Sequence, residues 1–395
     1  MLMGNKGITS HNVSTTLDAK SWLLKVNELM ASAQAQKKLA SRSIKIMNVC
    51  GGHERSISMA GIRNALHPQI ELIPGPGCPV CICPEEDIFL AIQLALHEDI
   101  ILLAFGDMLR VPVNVGKKSI RTLQQAKASG ADVRPIASPL EARQIAQDNP
   151  HRKIVFFAAG FETTTAPTAG LIAEGIPDNL LLLLSGRLTW PAVAMLLESD
   201  SPGFDALVAP GHVATVMGAN EWQFVIDQHH LPTAVAGFNT ESLLAAFYSV
   251  IRQKLEDRLF LDNCYPQLVK DEGNLSAKNQ LNKTMDIVDA NWRGIGIIPL
   301  SGFELKAEHS QHNARLIFPD HNKQSRRHIG EMPAGCDCAS VVLGKKYPNQ
   351  CKLYGKACTP QEPIGPCMVS DEGACRIWWA HGRHDRSAQI KKNDA

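Results

Sequence analysis

Apolar residues along this chain follow two rhythms. Between Ser21 and Lys38, Trp22, Leu23, Val26, Leu29 and Met30 recur at helical spacing, which predicts an amphipathic helix at the start of the fold. Beyond it, short apolar runs alternate with helical stretches. The runs are Ile44–Val49, Ile70–Ile73, Ile100–Phe105, Val133–Ala137, Ile154–Ala159, Leu180–Leu184, Ala206–Ala209, Thr233–Ala236 and Ile295–Ile298. Short runs of this kind, most of them followed directly by Gly or Pro, are the pattern of parallel strands buried on both faces. The segment Asp262–Asp289 is polar and poor in β-branched residues, so helix and loop are expected there. From Met332 the runs stop, and Cys, Gly and Pro punctuate every few residues. Such a segment reads as a small module organised by something other than an apolar core. The charged tail from Arg383 is expected to fray.

Two stretches repeat an order of elements. KIMNVCGGHE from Lys45 and KIVFFAAGFE from Lys153 each give strand, glycine, X-Glu and helix start, and ILLAFGDMLRVP from Ile101 parallels ALVAPGHVATVM from Ala206. The fold class expected is α/β, with two similar doubly wound parallel-sheet domains facing a cleft and a small C-terminal module. The turn-forming Asp148-Asn149-Pro150 marks the division. The expected parts are an N-terminal helical segment (1–43), a first α/β domain (44–150), a second (151–300) and the C-terminal module (301–395). In such sheets the ligand site lies beyond the carboxyl ends of the strands, so both Gly-X-Glu loops are expected on the cleft.

A length of 395 residues agrees with two or three domains. With 45% apolar and 20% charged residues the composition is that of an ordinary globular protein. A net charge of +1, without a basic stripe interleaved with aromatics, argues against nucleic acid or an anionic membrane as partner. MLMGNKGITSHNVSTTLD lacks an apolar core of signal-peptide length, and the apolar runs, Leu180–Leu184 among them, are far below the roughly 20 residues of a membrane span. A cytoplasmic location is therefore expected. In that reducing compartment eleven cysteines point to metal or redox chemistry rather than a disulfide framework.

Six of the cysteines, Cys336, Cys338, Cys351, Cys358, Cys367 and Cys375, crowd the C-terminal module. Structural zinc sites usually bring paired C-x2-C knuckles, and none occurs here. Separated thiolates suit an iron–sulfur cluster better, with a zinc site or free thiols as alternatives. Six is two more than a cubane needs, which leaves a pair for redox work. Cys351 and Cys358 would share a helical face about 10 Å apart at a 1.5 Å rise, but Gly355 argues for a bend that brings them closer.

Further thiols lie near the N-terminus. Cys50-Gly51-Gly52-His53-Glu54 follows a predicted strand, where glycines leave a sulfur accessible and His53 and Glu54 stand close enough to share a metal or tune the thiol. A small buried cysteine at a strand end is the plain alternative. Gly75-Pro76-Gly77-Cys78-Pro79-Val80-Cys81 closes the next predicted strand and looks like a redox C-x-x-C. Thr163 or Thr164 in Gly160-Phe161-Glu162-Thr163-Thr164-Thr165 can cap a helix with Glu162 near its positive end, or the loop can line the cleft opposite Cys50. His212 is either a satisfied core histidine or a cleft group, and Trp378-Trp379 is expected to pack in the C-terminal module. Neither G-x-x-x-x-G-K-[ST] nor G-x-G-x-x-G opens a helix after a strand, so nucleotide hydrolysis has no motif behind it.

Together CGGHE, PGPGCPVC, GFETT, PGHV and the six-cysteine tail closely resemble the HypD family of [NiFe]-hydrogenase maturation proteins, in order and spacing, from about Ile44 to Trp379. The resemblance implies a scaffold and redox protein on which iron receives carbon monoxide and two cyanides before insertion into the hydrogenase large subunit. It implies a small HypC-type chaperone as partner and a HypE-type protein as cyanide donor. By the same resemblance Cys50 holds mononuclear iron jointly with the chaperone's N-terminal cysteine, His53 and Glu54 are its essential neighbours, and Cys78 and Cys81 are redox thiols. Cys336, Cys351, Cys358 and Cys375 match the ligands of a [4Fe–4S] cluster, and Cys338 and Cys367 an adjacent thiol pair similar to that of ferredoxin–thioredoxin reductase. Spacing alone does not divide the six into four and two. Cys83 departs from the family pattern, and alternation along an extended segment would place it on the side of Cys81. Cys264 matches no motif and reads as a structural thiol. The rival reading is a thiol–disulfide oxidoreductase that carries a cluster but never holds mononuclear iron.

Overall fold

The computed structural model describes residues 17–116, 118–199, 202–323 and 332–381. Strands β1 (Ile44–Asn48), β2 (Ile70–Pro74), β3 (Ile100–Phe105), β4 (Val133–Ile136), β5 (Lys153–Gly160), β6 (Leu180–Arg187), β7 (Ala206–Pro210) and β8 (Thr233–Ala236) form where the apolar runs predict them. β9 (Leu261–Asn263), β10 (Met285–Trp292) and β11 (Gly296–Leu305) complete two sheets. The first sheet, in the order β2-β1-β7-β8-β9, is parallel throughout. The second, in the order β10-β11-β6-β5-β3-β4, is parallel from β6 to β4 and antiparallel at β10 and β11. The α/β class with two largely parallel sheets is as expected.

The domains are drawn differently. β3, β4, β5 and β6 all lie in one sheet, so the chain does not divide at 148–150. The first sheet takes β1 and β2 from the start of the chain and β7, β8 and β9 from beyond residue 205. The two halves are therefore interleaved, and their cores decide it. β5 carries Phe156 and Phe157 on opposite faces, and both are fully buried, so this strand needs cover on both sides and neighbours along both edges. A turn cluster in the sequence marks a surface loop, not which edge the next strand will join.

Further expectations change. The first helix is two, Ala19–Ala31 and Ala33–Leu39, because Ser32 leaves the helical conformation and its side chain caps the second. Asp262–Asp289 holds a helix, Leu275–Thr284, but also the start of β10. β10 is an edge strand whose Asp286, Ile287 and Asp289 are exposed, so its polar face hid it. Residues 296–298 of the run Ile295–Ile298 open the long antiparallel strand β11, which carries the second sheet on to Leu305. His312 continues that association by hydrogen-bonding Leu180 O, so the cysteine-rich module starts after this region, at 332. The module does not stand apart from an apolar core. Cys338, Val341, Val342, Cys367, Met368, Val369 and Cys375 are buried in the core that also contains β3 and β5 side chains. The tail from Arg383 lies outside the described residues. Among the described residues no helix is long and apolar enough to cross a membrane.

Candidate functional site

In the first sheet the chain leaves β1 towards β2 on one side, while β7, β8 and β9 extend the sheet on the other. β1 and β7 thus flank the point where strand order reverses, and a crevice opens beyond their carboxyl ends. Cys50 follows β1, and His212 follows β7. Cys50 is the N-cap of the helix Gly51–Met59 and makes no side-chain capping bond, so its sulfur is left for other work. It keeps part of its surface open. Even so, the mass packed around its sulfur, and then Glu372, push the thiol up to about 12.

The loop after β2 closes on this point. Gly75 N donates to Asn48 O (2.8 Å), and Gly51 N donates to Gly77 O (3.1 Å). A side chain on Gly77 would collide with the backbone of Cys50, so only glycine lets the two loops touch. Immediately after, Cys78 and Cys81 form a disulfide across the short helix Pro79–Ile82. Pro79 pre-sets that helix, and Cys78 caps it, its sulfur accepting from Cys81 N at 3.2 Å. Cys83 does not face the side of Cys81, because the segment is helical rather than extended. Its thiol lies 3.6 Å from Ser185 Oγ, which in turn donates to Asp87 Oδ2 (2.6 Å). Burial first, then Asp87, pushes Cys83 up to about 12. Cys264 is fully buried and held well above its ordinary value by desolvation, as a structural thiol should be.

His53 and Glu54 point away from a shared role. His53 is fully buried, and its Nε2 donates to Ala236 O at 3.0 Å, which leaves Nδ1 as an unpartnered acceptor. Desolvation lowers its pKa to about 4, so the ring is neutral. Phe238 stands between the histidines, its ring centroid 5.1 Å from His53 and 3.8 Å from His212. His212 is exposed and is a crevice group rather than a core histidine. Glu54 is buried, and Oε1 accepts from Arg63 (2.6 Å) and from Trp378 Nε1 (2.8 Å).

Trp378 brings in the C-terminal module. The loop before the helix Ala374–His381 lays Glu372 against Gly51 so closely that a side chain at Gly51 would collide with the Glu372 backbone. The helix Pro79–Ile82 packs against the segment Pro366–Met368, which carries Cys367, and against the helix Cys338–Val342. Cys50, the Cys78–Cys81 pair and the six-cysteine module thus form one contiguous region.

Within the module Cys338 and Cys367 lie close enough to shift each other's titration, and Cys367 also meets Cys375. Cys336 is pushed up to about 12 by burial first and then by Cys338, with Cys351 and Cys358 also acting on it. Backbone N–H groups aim at sulfur: Asp337 at Cys351 (3.5 Å), Ile364 at Cys358 (3.4 Å) and Cys375 at Cys367 (3.2 Å). The stretch between Cys351 and Cys358 is a tight turn, not a helix, with Gly355 at φ +69° supplying the bend. Among the described residues no three His, Cys, Asp or Glu side chains converge on a single metal ion. A cluster spreads its ligand thiolates over several irons, and a crowd of buried cysteines receiving backbone N–H bonds is a donor set of the right chemistry for one.

The second sheet has its own crevice, a cavity of about 770 Å3 at the ends of β3, β4 and β5. Thr164 and Ala159 line it opposite Pro79, Val80 and Ser370–Glu372. The GFETT loop therefore borders the disulfide turn and Glu372. Glu162 itself is sealed, bound by Thr189 N (2.6 Å) and Thr189 Oγ1 (2.7 Å), and neither Thr163 nor Thr164 caps the helix that begins there.

Glu372, Phe238 and Arg63 are site residues that the motifs did not single out. For Phe238 a signal was present: Ala236-Gly237-Phe238-Asn239-Thr240 repeats the strand-Gly-Phe-polar-Thr order of Ala159-Gly160-Phe161-Glu162-Thr163. Glu372 and Arg63 carry no comparable mark.

Comparison with known proteins points to one family. The profile of the HypD family, described as "Hydrogenase formation hypA family", matches residues 25–382. "Hydrogenase maturation factor HypD2" of Bradyrhizobium diazoefficiens is 39% identical over 349 residues, covering 86% of this chain and 90% of that protein. "Hydrogenase maturation factor HypD" of Escherichia coli K12 is 37% identical over 353 residues, covering 88% and 92%. The protein of that name from Azotobacter vinelandii is 38% identical over 352 residues, covering 87% and 90%.

Proposed function

The chain belongs to the HypD family of hydrogenase maturation factors, and on that premise we propose that it is the scaffold on which an iron atom receives cyanide and carbon monoxide. The iron is cargo, held at Cys50 together with a thiolate from a small HypC-type chaperone. A HypE-type protein delivers the cyanide, and the finished group passes on to the large subunit of a [NiFe]-hydrogenase. The observation that carries this reading is the convergence of three thiol centres on one strand-end crevice: a partly exposed Cys50, the Cys78–Cys81 pair on the touching loop, and the cysteine module against both.

Each residue has a physical task in this reading. Cys50 must release its proton when iron binds, because the thiolate is the ligand. Phe238 and His212 wall the crevice and limit water near the cargo. His53, neutral and fixed through Nε2, keeps an unprotonated Nδ1 beside Phe238. Cys78 and Cys81 exchange two electrons as they pass between disulfide and dithiol. Cys336, Cys351, Cys358 and Cys375 would hold a [4Fe–4S] cluster, with Cys338 and Cys367 as the neighbouring thiol pair. Such a cluster supplies one-electron transfer when bound.

The test is anaerobic purification with the chaperone, followed by infrared spectroscopy. The parent should show cyanide and carbon monoxide bands, and Cys50→Ala should lose them while still binding the chaperone. Full-strength bands in Cys50→Ala would place the iron elsewhere. Absence of bands from an active parent would favour the thiol–disulfide oxidoreductase. For the module, Ser substitution of Cys336, Cys351, Cys358 or Cys375 should bleach the visible cluster absorption, whereas Cys338→Ser and Cys367→Ser should keep it. A full cluster in Cys351→Ser would break the assignment.

A further inference from the structure

Glu54 sits four residues after Cys50, where a carboxylate invites assignment as an iron ligand or proton carrier. Its contacts describe something else. One oxygen, Oε1, accepts from the Arg63 guanidinium at 2.6 Å and from the Trp378 indole at 2.8 Å, and the side chain is 2% exposed. Arg63 spends its other arm on Leu72 O (2.6 Å) in β2 and lies over the Trp378 ring at 5.2 Å. On that ring Tyr347 stacks at 5.4 Å, and its hydroxyl reaches Glu71, also in β2. Trp378 belongs to the helix Ala374–His381, which begins beside Cys375, and Glu54 to the helix that Cys50 caps.

We infer that Glu54 is a positioning residue, the strut that docks the C-terminal cysteine module onto the helix carrying Cys50. Arg63 and Trp378 are its two partners. The proposal rests on the scaffold reading for its purpose, since the spacing between Cys50 and the module matters only if both serve one cargo. The geometry of the strut does not depend on that reading. A buried carboxylate oxygen shared by an arginine and an indole N–H is a charge-assisted junction with one geometry. Removing it leaves an arginine and an indole donor without their acceptor, which loosens the contact rather than merely weakening it.

Amide hydrogen exchange of the full chain, read on the helix Ala374–His381 and on Gly51–Met59, tests the strut directly. Glu54→Ala and Trp378→Phe should each raise exchange in Ala374–His381 by about tenfold or more, the factor expected for a lost charged hydrogen bond. Glu54→Gln keeps an amide oxygen in the place of Oε1, so it should hold exchange near the parent value and retain most of the infrared bands of the loaded complex. A ligand or acid–base role predicts the opposite: Glu54→Gln would fail in loading as Glu54→Ala does, with exchange unchanged in both. That pattern overturns the proposal, as does parent-like exchange in Trp378→Phe. Failure of the scaffold reading is separate, because it shows in Cys50→Ala infrared spectra and leaves the exchange result standing.

Discussion

Two junctions in this protein share a local plan and have opposite fates. At Cys50-Gly51-Gly52-His53-Glu54 and at Gly160-Phe161-Glu162-Thr163, a buried parallel strand ends in glycine and turns into a helix whose first turn holds a glutamate. At the first, the strand stands beside the reversal in the first sheet, Cys50 is only partly covered, and the glutamate reaches outward to another module. At the second, the glutamate turns inward, is fully buried, and ties its helix to Thr189 at the start of the next. The difference lies in what each helix start must meet. One receives a second loop and a module across glycines, and the other packs its helix against Leu275–Thr284, Gly211–Met217 and Pro139–Asp148 while its glutamate is held by Thr189.

The glycines offer the largest test of that contrast. A methyl at Gly51 would strike the backbone of Glu372, and backbone cannot step aside without moving the module. Gly51→Ala should therefore cost about 3 kcal/mol, at the upper end of overpacking effects, and abolish iron loading. At Gly160 the obstacle is the side chain of Thr164, four residues on. Gly160→Ala should cost less, about 2 kcal/mol, and because the Thr164 Cβ is itself among the atoms struck, Thr164→Gly rather than Thr164→Ala should relieve the clash in the double variant. Thermal unfolding measures both. Equal costs at the two glycines, or a Gly51 variant that loads iron normally, would show that the junctions do not differ as described.

The glutamates give a second contrast, through pH. Burial raises Glu162 from 4.5 to about 7, against the lowering effect of its Thr189 hydrogen bonds. A raised carboxyl contributes stability that is fully present below the unfolded value and lost as pH rises through the folded one. Glu162→Gln keeps an oxygen for Thr189 N and carries no charge to desolvate. The variant should therefore gain on the parent between about pH 4.5 and 7 and hold a constant advantage above that, on the order of 1–3 kcal/mol. Denaturant unfolding at pH 5 and pH 8 measures it. An advantage that shrinks with rising pH would mean that Glu162 is ionised and needed as such.

Legibility in the sequence followed the same divide. Continuous apolar runs announced eight of the strands because burial on both faces leaves no other residue choice, and the cysteine motifs announced the thiol centres because their residue type is their chemistry. What stayed hidden depended on partners far along the chain. β10 presents a polar face at a sheet edge, and the interleaving of the two sheets is settled by which edge a strand joins. Glu54 looked like a site carboxylate until Arg63 and Trp378, 324 residues away, came into contact with it. The position of Cys83 depended on whether Pro79–Ile82 is extended or helical, which a C-x-x-C-x-C spacing does not fix.

Cys83 supplies the smallest effect and the sharpest check on where the open side ends. The helix Pro79–Ile82 is the crossing point. Cys78 and Cys81 belong with Cys50 and the module, whereas Cys83 belongs with the sealed polar network of the second sheet. Ser185 commits its hydroxyl hydrogen to Asp87, so Cys83 can only donate its S–H, to Ser185 Oγ or Pro84 O. What sets Cys83 apart is that its S–H is committed as a donor in this network, while burial and Asp87 push its pKa up to about 12. Cys83→Ala therefore removes one weak hydrogen bond and a small volume, at a cost of about 1 kcal/mol. It should leave iron loading and the titration of the Cys78–Cys81 pair unchanged. Cys78→Ala and Cys81→Ala should each abolish maturation. Differential alkylation of the unfolded chain should find Cys78 and Cys81 oxidised together and Cys83 free. Were Cys83 instead recovered in a disulfide with Cys81, the chain would have to turn at Pro84 rather than at Pro79, and the boundary between the open and sealed sides would move with it.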